Sequence, residues 1–257
     1  MQRVQKQFTV NSIEEFKSKL LIWAQQYEAV TWLDSNQYNQ KYSSFDAVLA
    51  VDEFTSIKTD YTNAFKQLKE YQSTTNDYLF GYLSYDLKND VEQLTSTNFD
   101  GLDFADLYFF QPRRIVFIKG NIIEFSYLKM IDDEIDTDFE TIKNTNIPER
   151  ETAQKDIKIK LRIHKDEYHQ KVNTILQHIH RGDIYEANLC QEFYAEKATI
   201  NPVEVYHHLN EISEPPFATF LKCEHQYLLS ASPERYLKRE GTKVISQPIK
   251  GTAKRLI

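Results

Sequence analysis

The chain has 257 residues, of which 41% are apolar and 13% aromatic, enough to bury a core in one large domain or two small ones. Its 31 basic and 38 acidic residues leave a formal net charge of −7, so general binding to nucleic acid or to an anionic membrane is not expected. The six glycines are not spaced for the glycine-rich loops that hold dinucleotides or nucleotides.

The two cysteines, Cys190 and Cys223, are too few for a disulfide framework in a chain of this size. We therefore expect a reducing compartment and a cytoplasmic protein. The N-terminal residues lack the apolar core of a signal peptide. The longest apolar runs are too short to span a bilayer.

The first half of the chain alternates between helical and strand patterns. Ser12 and Glu15 have the spacing of a capping box and predict a helix that extends to Trp23. Gly81 lies in a predicted strand, where it leaves room for another backbone or ring. The remaining elements predicted here are strands at 31–35, 45–51 and 78–85, a helix at 63–71, and a hairpin of 114–119 and 122–128 with a two-residue turn.

The second half begins with an acidic stretch, 132–138, that is typical of a solvated surface loop. A helix is predicted from His164 to Arg181, with Gly182 as its stop. Residues 184–193 alternate in polarity and predict a strand with a polar face. Further elements are a helix starting at 202 and strands at 217–222, 227–230, 235–239 and 243–249.

We place the division of the chain in its polar middle segment. It gives an N-terminal region, 1–158, and a second region, 159–257. Many antiparallel strands with a few covering helices predict an α+β fold.

Three residues stand where they could carry chemistry. Lys250 ends a hydrophobic strand in a tight turn, Glu234 lies in the turn before another strand, and Glu186 lies on the polar face of 184–193. On spacing alone, each is more typical of a solvent-facing side chain. These residues by themselves predict only an α+β domain with a candidate Lys/Glu cleft.

Taken together, three motifs resemble those of the chorismate-utilising enzymes. They read GDIYEANL at 182–189, SPER at 232–235 and PIKGT at 248–252. Weaker matches read WLDS at 32–35, GYLSYDL at 81–87 and PPF at 215–217. The ordered set covers nearly the whole chain. The resemblance implies large, mainly antiparallel β-sheets packed in a sandwich with helices on the outside.

Within this family, Lys250 is the discriminating residue. Anthranilate synthases typically carry Ala at this position, whereas lysine resembles aminodeoxychorismate synthase component I, a transferase of p-aminobenzoate and folate biosynthesis. The resemblance implies that Lys250 is the nucleophile and that Glu234 is the general acid. A nucleophilic amine must be deprotonated, so nearby positive charge or desolvation is expected to lower its pKa.

The resemblance also implies that Gly251, Thr252 and Glu186 bind the substrate, chorismate. Amine-adding relatives usually have Gln, and water-adding relatives Lys, where this chain has Glu186. An ionised Glu cannot donate a hydrogen bond, so the local hydrogen-bond scheme is expected to differ.

A tryptophan pocket is a further family feature, and its motifs match here at Ser35, Pro216 and Phe217. In some relatives tryptophan is a feedback ligand, and in others it is structural. The alternative is that side chains fill this pocket, and the sequence leaves the two possibilities even.

Family members continue well past the last motif, and the Mg²⁺-binding glutamates lie in that later part. We therefore expect no metal ligands within these 257 residues and no turnover of chorismate by them alone. Ammonia is expected from a glutamine amidotransferase subunit, since no such domain is visible here.

Two other functions stay open at this stage. One is anthranilate synthase component I. The other is a non-catalytic tryptophan-binding module derived from a shortened relative.

Overall fold

The computed structural model describes residues 2–38, 44–148 and 157–248. The contacts group the chain into two compact units. The first unit comprises the residues up to Pro148 together with those from Pro202 onward, and the second lies between them. The predicted division at 158 falls near the start of the second unit, and the chain returns to the first unit at Pro202.

The first unit contains a large antiparallel sheet and the helices that cover it. Its strands are β1 (Arg3–Thr9), β2 (Ala29–Asp34), β3 (Ala47–Thr59), β4 (Phe80–Leu83), β5 (Leu107–Lys119), β6 (Ile122–Leu128), β9 (Phe217–Cys223) and β10 (Gln226–Ser232). Its helices are α1 (Ile13–Ala24), α2 (Ala64–Thr75), α3 (Lys88–Val91), α4 (Ile135–Lys143) and α6 (Pro202–Ser213). A separate hairpin is formed by β11 (Arg235–Glu240) and β12 (Lys243–Gln247).

Seven of the eight strands follow the order β1-β6-β5-β3-β2-β9-β10. The eighth, β4, pairs with residues 107–110 of β5, whereas β6 pairs with residues 114–119. Every pairing is antiparallel. Side chains from α1, α4 and α6 pack on one face and enclose the main core, which includes Leu20, Trp32, Phe125, Phe139 and Phe220. The α+β class with a large antiparallel sheet and external helices is confirmed.

The second unit contains α5 (Lys165–Arg181) and a short ribbon of β7 (Lys160–Leu161) and β8 (Phe193–Tyr194). Two ion pairs, Lys160–Glu196 and Arg162–Glu192, lie along the ribbon. No residue that the structure describes between 157 and 201 is buried. This unit therefore has little apolar burial of its own to hold it together.

Several sequence predictions are confirmed in detail. The hairpin turns at Gly120, whose φ is +56°, between Lys119 and its partner Ile122. A Cβ on Gly81 would lie 1.9 Å from the carbonyl oxygen of Tyr108. Gly81 therefore allows the backbone of β5 to approach closely, as predicted. Helix α5 ends at Gly182, whose φ of +84° is typical of a left-handed C-cap.

The capping box predicted at Ser12 does not form. Ser12 is the N-cap residue of α1, but its side chain makes no capping hydrogen bond. The helix is instead held by burial of Phe16, Leu20 and Trp23 on its inner face. Tertiary packing thus outweighs the local cap.

The prediction of a solvated loop at 132–138 is wrong. The chain there passes from a 3₁₀ turn (Lys129–Glu134) into α4. Ile135, Phe139 and Ile142 are spaced four and three residues apart and are all buried. The apolar face is short, and acidic residues occupy most of the other positions of the stretch, so the sequence pattern does not indicate an amphipathic helix clearly.

The prediction of a strand at 184–193 is also wrong, because only Phe193–Tyr194 are in a strand. Tyr185 is 91% exposed and Phe193 66% exposed, so no apolar layer buries one face of the segment. Alternating polarity cannot by itself form a strand without a partner to complete the ladder.

None of the described helices combines the length and apolar character that crossing a membrane requires.

Candidate functional site

A cavity of about 470 Å³ lies at one end of the large sheet, where β2 and β10 end and β3 and β9 begin. Its lining brings together four residues that the sequence singled out: Ser35, Pro216, Phe217 and Glu234. The other lining residues are Leu33, Asp34, Ser44, Phe45, Asp46, Ala218, Thr219, Ser232, Arg235, Leu237 and Lys238.

Ser35 places a hydroxyl in the cavity wall. The residue is 8% exposed, and its Oγ has no hydrogen-bond partner within the described part of the chain. Its backbone N–H donates to the carbonyl oxygen of Asp46 at 2.8 Å, which fixes the backbone that carries the hydroxyl. Because an unpaired buried hydroxyl costs about 1–3 kcal/mol, this atom is suited to bonding a polar ligand.

Asp34 adds a buried carboxylate next to this hydroxyl. Its Oδ1 accepts a hydrogen bond from Lys17 Nζ at 3.1 Å and another from the backbone N–H of Asn36 at 2.9 Å. Both side chains of the Lys17–Asp34 ion pair are 7% exposed. Burial raises the pKa of Asp34, and Lys17 and the Asn36 N–H offset part of that rise.

Sequence reasoning missed this ion pair. A signal was present for one partner, because Lys17 follows Ile13 by four residues and so lies on the apolar face of α1. A lysine on a buried face needs an anionic partner. The identity of that partner depends on how α1 packs on β2, which the sequence does not state.

An apolar surface lines the cavity on the neighbouring strand. It is made by Pro216, Phe217 and Ala218, at the start of β9. The guanidinium carbon of Arg235 lies 5.0 Å from the centre of the Phe217 ring, a cation–π contact. An apolar surface beside a hydroxyl and a carboxylate is suited to a ligand with an apolar body and a polar end.

Glu234 is held by a tight turn before β11. Ser232 Oγ donates to the carbonyl oxygen of Glu234 at 3.1 Å and accepts from its N–H at 3.3 Å. This local pair fixes the backbone of Glu234 at the cavity lining. Its assignment as a general acid stays a prediction.

The other predicted site residues belong to the second unit or fall outside the described residues. Glu186 is exposed and belongs to the second unit, outside any regular strand. Lys250, Gly251 and Thr252 lie outside the described residues. Across the described ranges, no three His, Cys, Asp or Glu side chains are grouped so as to hold a metal ion.

Comparison with known proteins identifies the family. A family model described as "chorismate binding enzyme" matches residues 10–256. The chain belongs to this family.

Curated relatives within the family carry two different names. The chain is 32% identical to the anthranilate synthase component I-like protein of Synechocystis over 177 residues, which are 68% of this chain and 36% of that protein. It is 34% identical to aminodeoxychorismate synthase component 1 of Escherichia coli over 92 residues, which are 36% of this chain and 20% of that protein. The matched region therefore spans well under half the length of these relatives.

A solved structure shares the fold. The menaquinone-specific isochorismate synthase of Escherichia coli aligns with a TM-score of 0.54 and 12% identity, covering 93% of this chain and 51% of that one. This likeness supports the chorismate-utilising fold predicted from the motifs.

Proposed function

We propose that the chain belongs to a synthase that converts chorismate and ammonia to 4-amino-4-deoxychorismate, for p-aminobenzoate and folate biosynthesis. The observation that carries this choice within the family is the lysine in PIKGT at 248–252. The 34% identity to aminodeoxychorismate synthase component 1 of Escherichia coli supports it.

In the proposed chemistry, the neutral amine of Lys250 forms a C–N bond at C2 of the chorismate ring. Both ring double bonds shift, the 4-hydroxyl leaves, and Glu234 gives it a proton so that it departs as water. Ammonia then adds at C4, both double bonds shift back, and the C–N bond to the lysine breaks to release its amine. General-acid assistance of this kind typically contributes about 10²–10⁴-fold.

The other assignments belong to the same proposal. Gly251, Thr252 and Glu186 would contact chorismate, and Mg²⁺ would be held by residues beyond those described here. A separate glutamine amidotransferase would supply the ammonia, and we propose a cytoplasmic location. These assignments rest on the family resemblance and not on the cavity.

The cavity is proposed to hold tryptophan or a closely related amino acid. Its apolar wall at Phe217 suits an indole ring, and the carboxylate of Asp34 and the hydroxyl of Ser35 suit the polar end.

Anthranilate synthase component I is the second candidate. The Synechocystis relative, which matches 68% of this chain, is named an anthranilate synthase component I-like protein. Lys250 argues against it, because the resemblance associates alanine with anthranilate formation.

Product identity separates the two candidates. The whole protein is incubated with chorismate, an ammonium salt and Mg²⁺, and the products are separated with and without a lyase that releases p-aminobenzoate. We expect p-aminobenzoate only when the lyase is present. Fluorescent anthranilate formed without the lyase would reject the proposal in favour of the second candidate.

Replacing the proposed nucleophile tests its role. Lys250→Ala should lower kcat for aminodeoxychorismate by at least about 10²-fold, because covalent catalysis by the amine is lost. Lys254→Ala is the matched control, since it removes a lysine from the same stretch, and it should keep the wild-type rate. An unchanged rate and product in Lys250→Ala would remove the nucleophilic role.

A further inference from the structure

The cavity has two walls that come from distant parts of the chain. The β2 wall is Leu33, Asp34 and Ser35, and the β9 wall is residues 216–219. The ladder between β2 and β9 ends with the pairing of Asp34 and Ala218. Proline has no N–H to donate, so Pro215 and Pro216 cannot extend this ladder to the mouth of the cavity.

The side chain of Asn36 connects the two walls beyond that point. Its Nδ2 donates to the carbonyl oxygen of Pro215 at 2.7 Å, across 179 positions of sequence. The same nitrogen donates to Asn210 Oδ1 at 2.8 Å, and Asn210 Nδ2 donates back to Asn36 Oδ1 at 2.8 Å. The amide of Asn36 thus uses both of its N–H groups and its oxygen in one part-buried network.

The backbone of Asn36 is arranged for this contact. Its φ is +50°, a left-handed conformation that asparagine tolerates better than most residues. Its N–H donates to Asp34 Oδ1, so the turn that carries the amide also orients the carboxylate in the β2 wall.

The partner segment is the end of α6. The body of this helix is anchored separately by Tyr206, which is buried against the Phe220 ring. Its last turn closes where Glu214 N–H donates to the carbonyl oxygen of Asn210 at 2.8 Å. Asn36 therefore acts on the end of α6 and on the start of the β9 wall, rather than on the anchor of the helix.

We propose that Asn36 is a positioning residue that fixes the start of the β9 wall and the end of α6 against the end of β2, beyond the last pair of the ladder. Its side chain supplies the cross-connection that the two prolines remove from the strand ladder. Leu33 and Asp34 are already held to Thr219 and Ala218 by the ladder, so the amide acts on the residues next to its end, Ser35 in the β2 wall and Pro216 and Phe217 in the β9 wall. The identity of the occupant rests on the proposed function, whereas the fixing of the walls does not.

Hydrogen exchange in the whole protein tests the proposal. Asn36→Gly removes the amide while keeping the left-handed backbone free of strain. We expect the N–H groups of Glu214 and of 217–219 to exchange on the order of tenfold faster, since a lost amide network weakens local closure. Asn210→Ala should give the same change, and the double variant should add little to it.

Gln37→Gly is the matched control. Gln37 also has a left-handed φ, +61°, but its side chain is exposed and, among the described residues, donates a hydrogen bond to Glu14 Oε1 rather than to Asn210 or Pro215. It should leave exchange at 214–219 unchanged. Wild-type exchange at these positions in Asn36→Gly would overturn the proposal.

Tryptophan titration by calorimetry gives a second readout. Asn36→Gly should weaken tryptophan binding by roughly tenfold, with Gln37→Gly unaffected. A wild-type protein that takes up no tryptophan would overturn the proposed occupant, and the exchange comparison would still decide the role of Asn36. Equal tryptophan affinity in Asn36→Gly and wild type would count against the proposal.

Discussion

Arg3 and Asp77 form a buried ion pair between the first strand and the segment before β4. Arg3 Nε lies 2.8 Å from Asp77 Oδ1, and the two side chains are 8% and 5% exposed. Gln111 Nε2 also donates to this carboxylate at 2.7 Å. Burial alone would raise the pKa of Asp77, but the hydrogen bonds from Arg3 and Gln111 outweigh it and hold the pKa below its ordinary value.

The lowered pKa predicts a pH-dependent contribution to stability. A carboxyl with a depressed folded-state pKa stabilises the fold above its unfolded pKa of 3.8 and loses that contribution as pH falls through the folded value. Asp77→Asn should lower the free energy of unfolding by about 3 kcal/mol at pH 7. The difference from wild type should shrink at pH 2, as measured by denaturant titration.

The control for this prediction is Asp136→Asn. Asp136 pairs with Lys6, but its side chain is 66% exposed, and an exposed pair contributes less than about 1 kcal/mol. A loss at pH 7 no larger in Asp77→Asn than in Asp136→Asn would contradict the prediction. So would a difference that persists undiminished at pH 2.

Single residues were predictable where the local backbone fixes their role. Gly81 was expected to admit another backbone, and the Tyr108 carbonyl fills that space. Asn36 gave no comparable signal, because its partners Asn210 and Pro215 are far along the chain. Ser35 and Phe217 could be placed in one pocket only through the family resemblance.

Helix α4 shows how a short apolar face stabilises an otherwise acidic element. The ring of Phe139 stacks on Phe8 of β1, with centroids 3.9 Å apart and planes inclined by 11°. Ile135 and Ile142 are buried on the same side. The helix is therefore held through its apolar face against the sheet.

Removing this ring should weaken the element and the fold. Phe139→Ala is expected to lower the free energy of unfolding by about 3–5 kcal/mol, because it deletes a buried aromatic side chain and leaves a cavity. Thr141→Ala, on the exposed side of the same helix, should change it by about 0.5 kcal/mol or less. Thermal and denaturant unfolding measure both. Similar losses in the two variants would show that α4 is not held by its apolar face.

Elements with a strong periodic pattern and a clear terminator were predictable from sequence. Helix α5 has an apolar stripe and ends at Gly182, and the β5–β6 hairpin has Gly120 in its turn. The strand prediction for 184–193 was wrong because the segment alternates in polarity but, over most of its length, has no neighbouring strand to pair with in the described structure. A strand depends on its partner, whereas a helix forms its hydrogen bonds within itself.

At the scale of the whole molecule, the two units differ sharply in burial. The sheet of the first unit has fully buried residues such as Leu49, Ile115 and Phe125, whereas the described part of the second unit has none. Local stability follows the amount of apolar surface buried.

Amide hydrogen exchange should therefore be fast in the second unit and slow in the sheet of the first unit. We expect amides of α5 to exchange at least about 10²-fold faster than those of β3 and β5, because opening the second unit exposes little that is buried. Exchange mass spectrometry of peptides from each element measures this. The control is α1, which is helical like α5 but buried on one face and should exchange slowly. Equal protection of α5 and α1 would contradict the expected division.

The strand order was not predictable from the residues alone. Strand β1 pairs with β6, and β2 pairs with β9, across separations of more than a hundred positions. Composition and periodicity describe each strand but not its neighbours. The α+β class could be predicted from the types of the elements. The strand arrangement that creates the cavity is known only from the pairings in the structure.

The pairing of β2 with β9 also sets the order in which the sheet can be completed as the chain is made. Strands β1 to β6 can assemble once Leu128 has left the ribosome, but β2 then has an unpaired edge. Residues 129–216 must be synthesised before β9 arrives, which takes roughly 5–20 s at about 5–20 residues per second. During that interval the open edge of β2 is a template for pairing with other chains, so the nascent protein is most exposed to aggregation before its cavity exists.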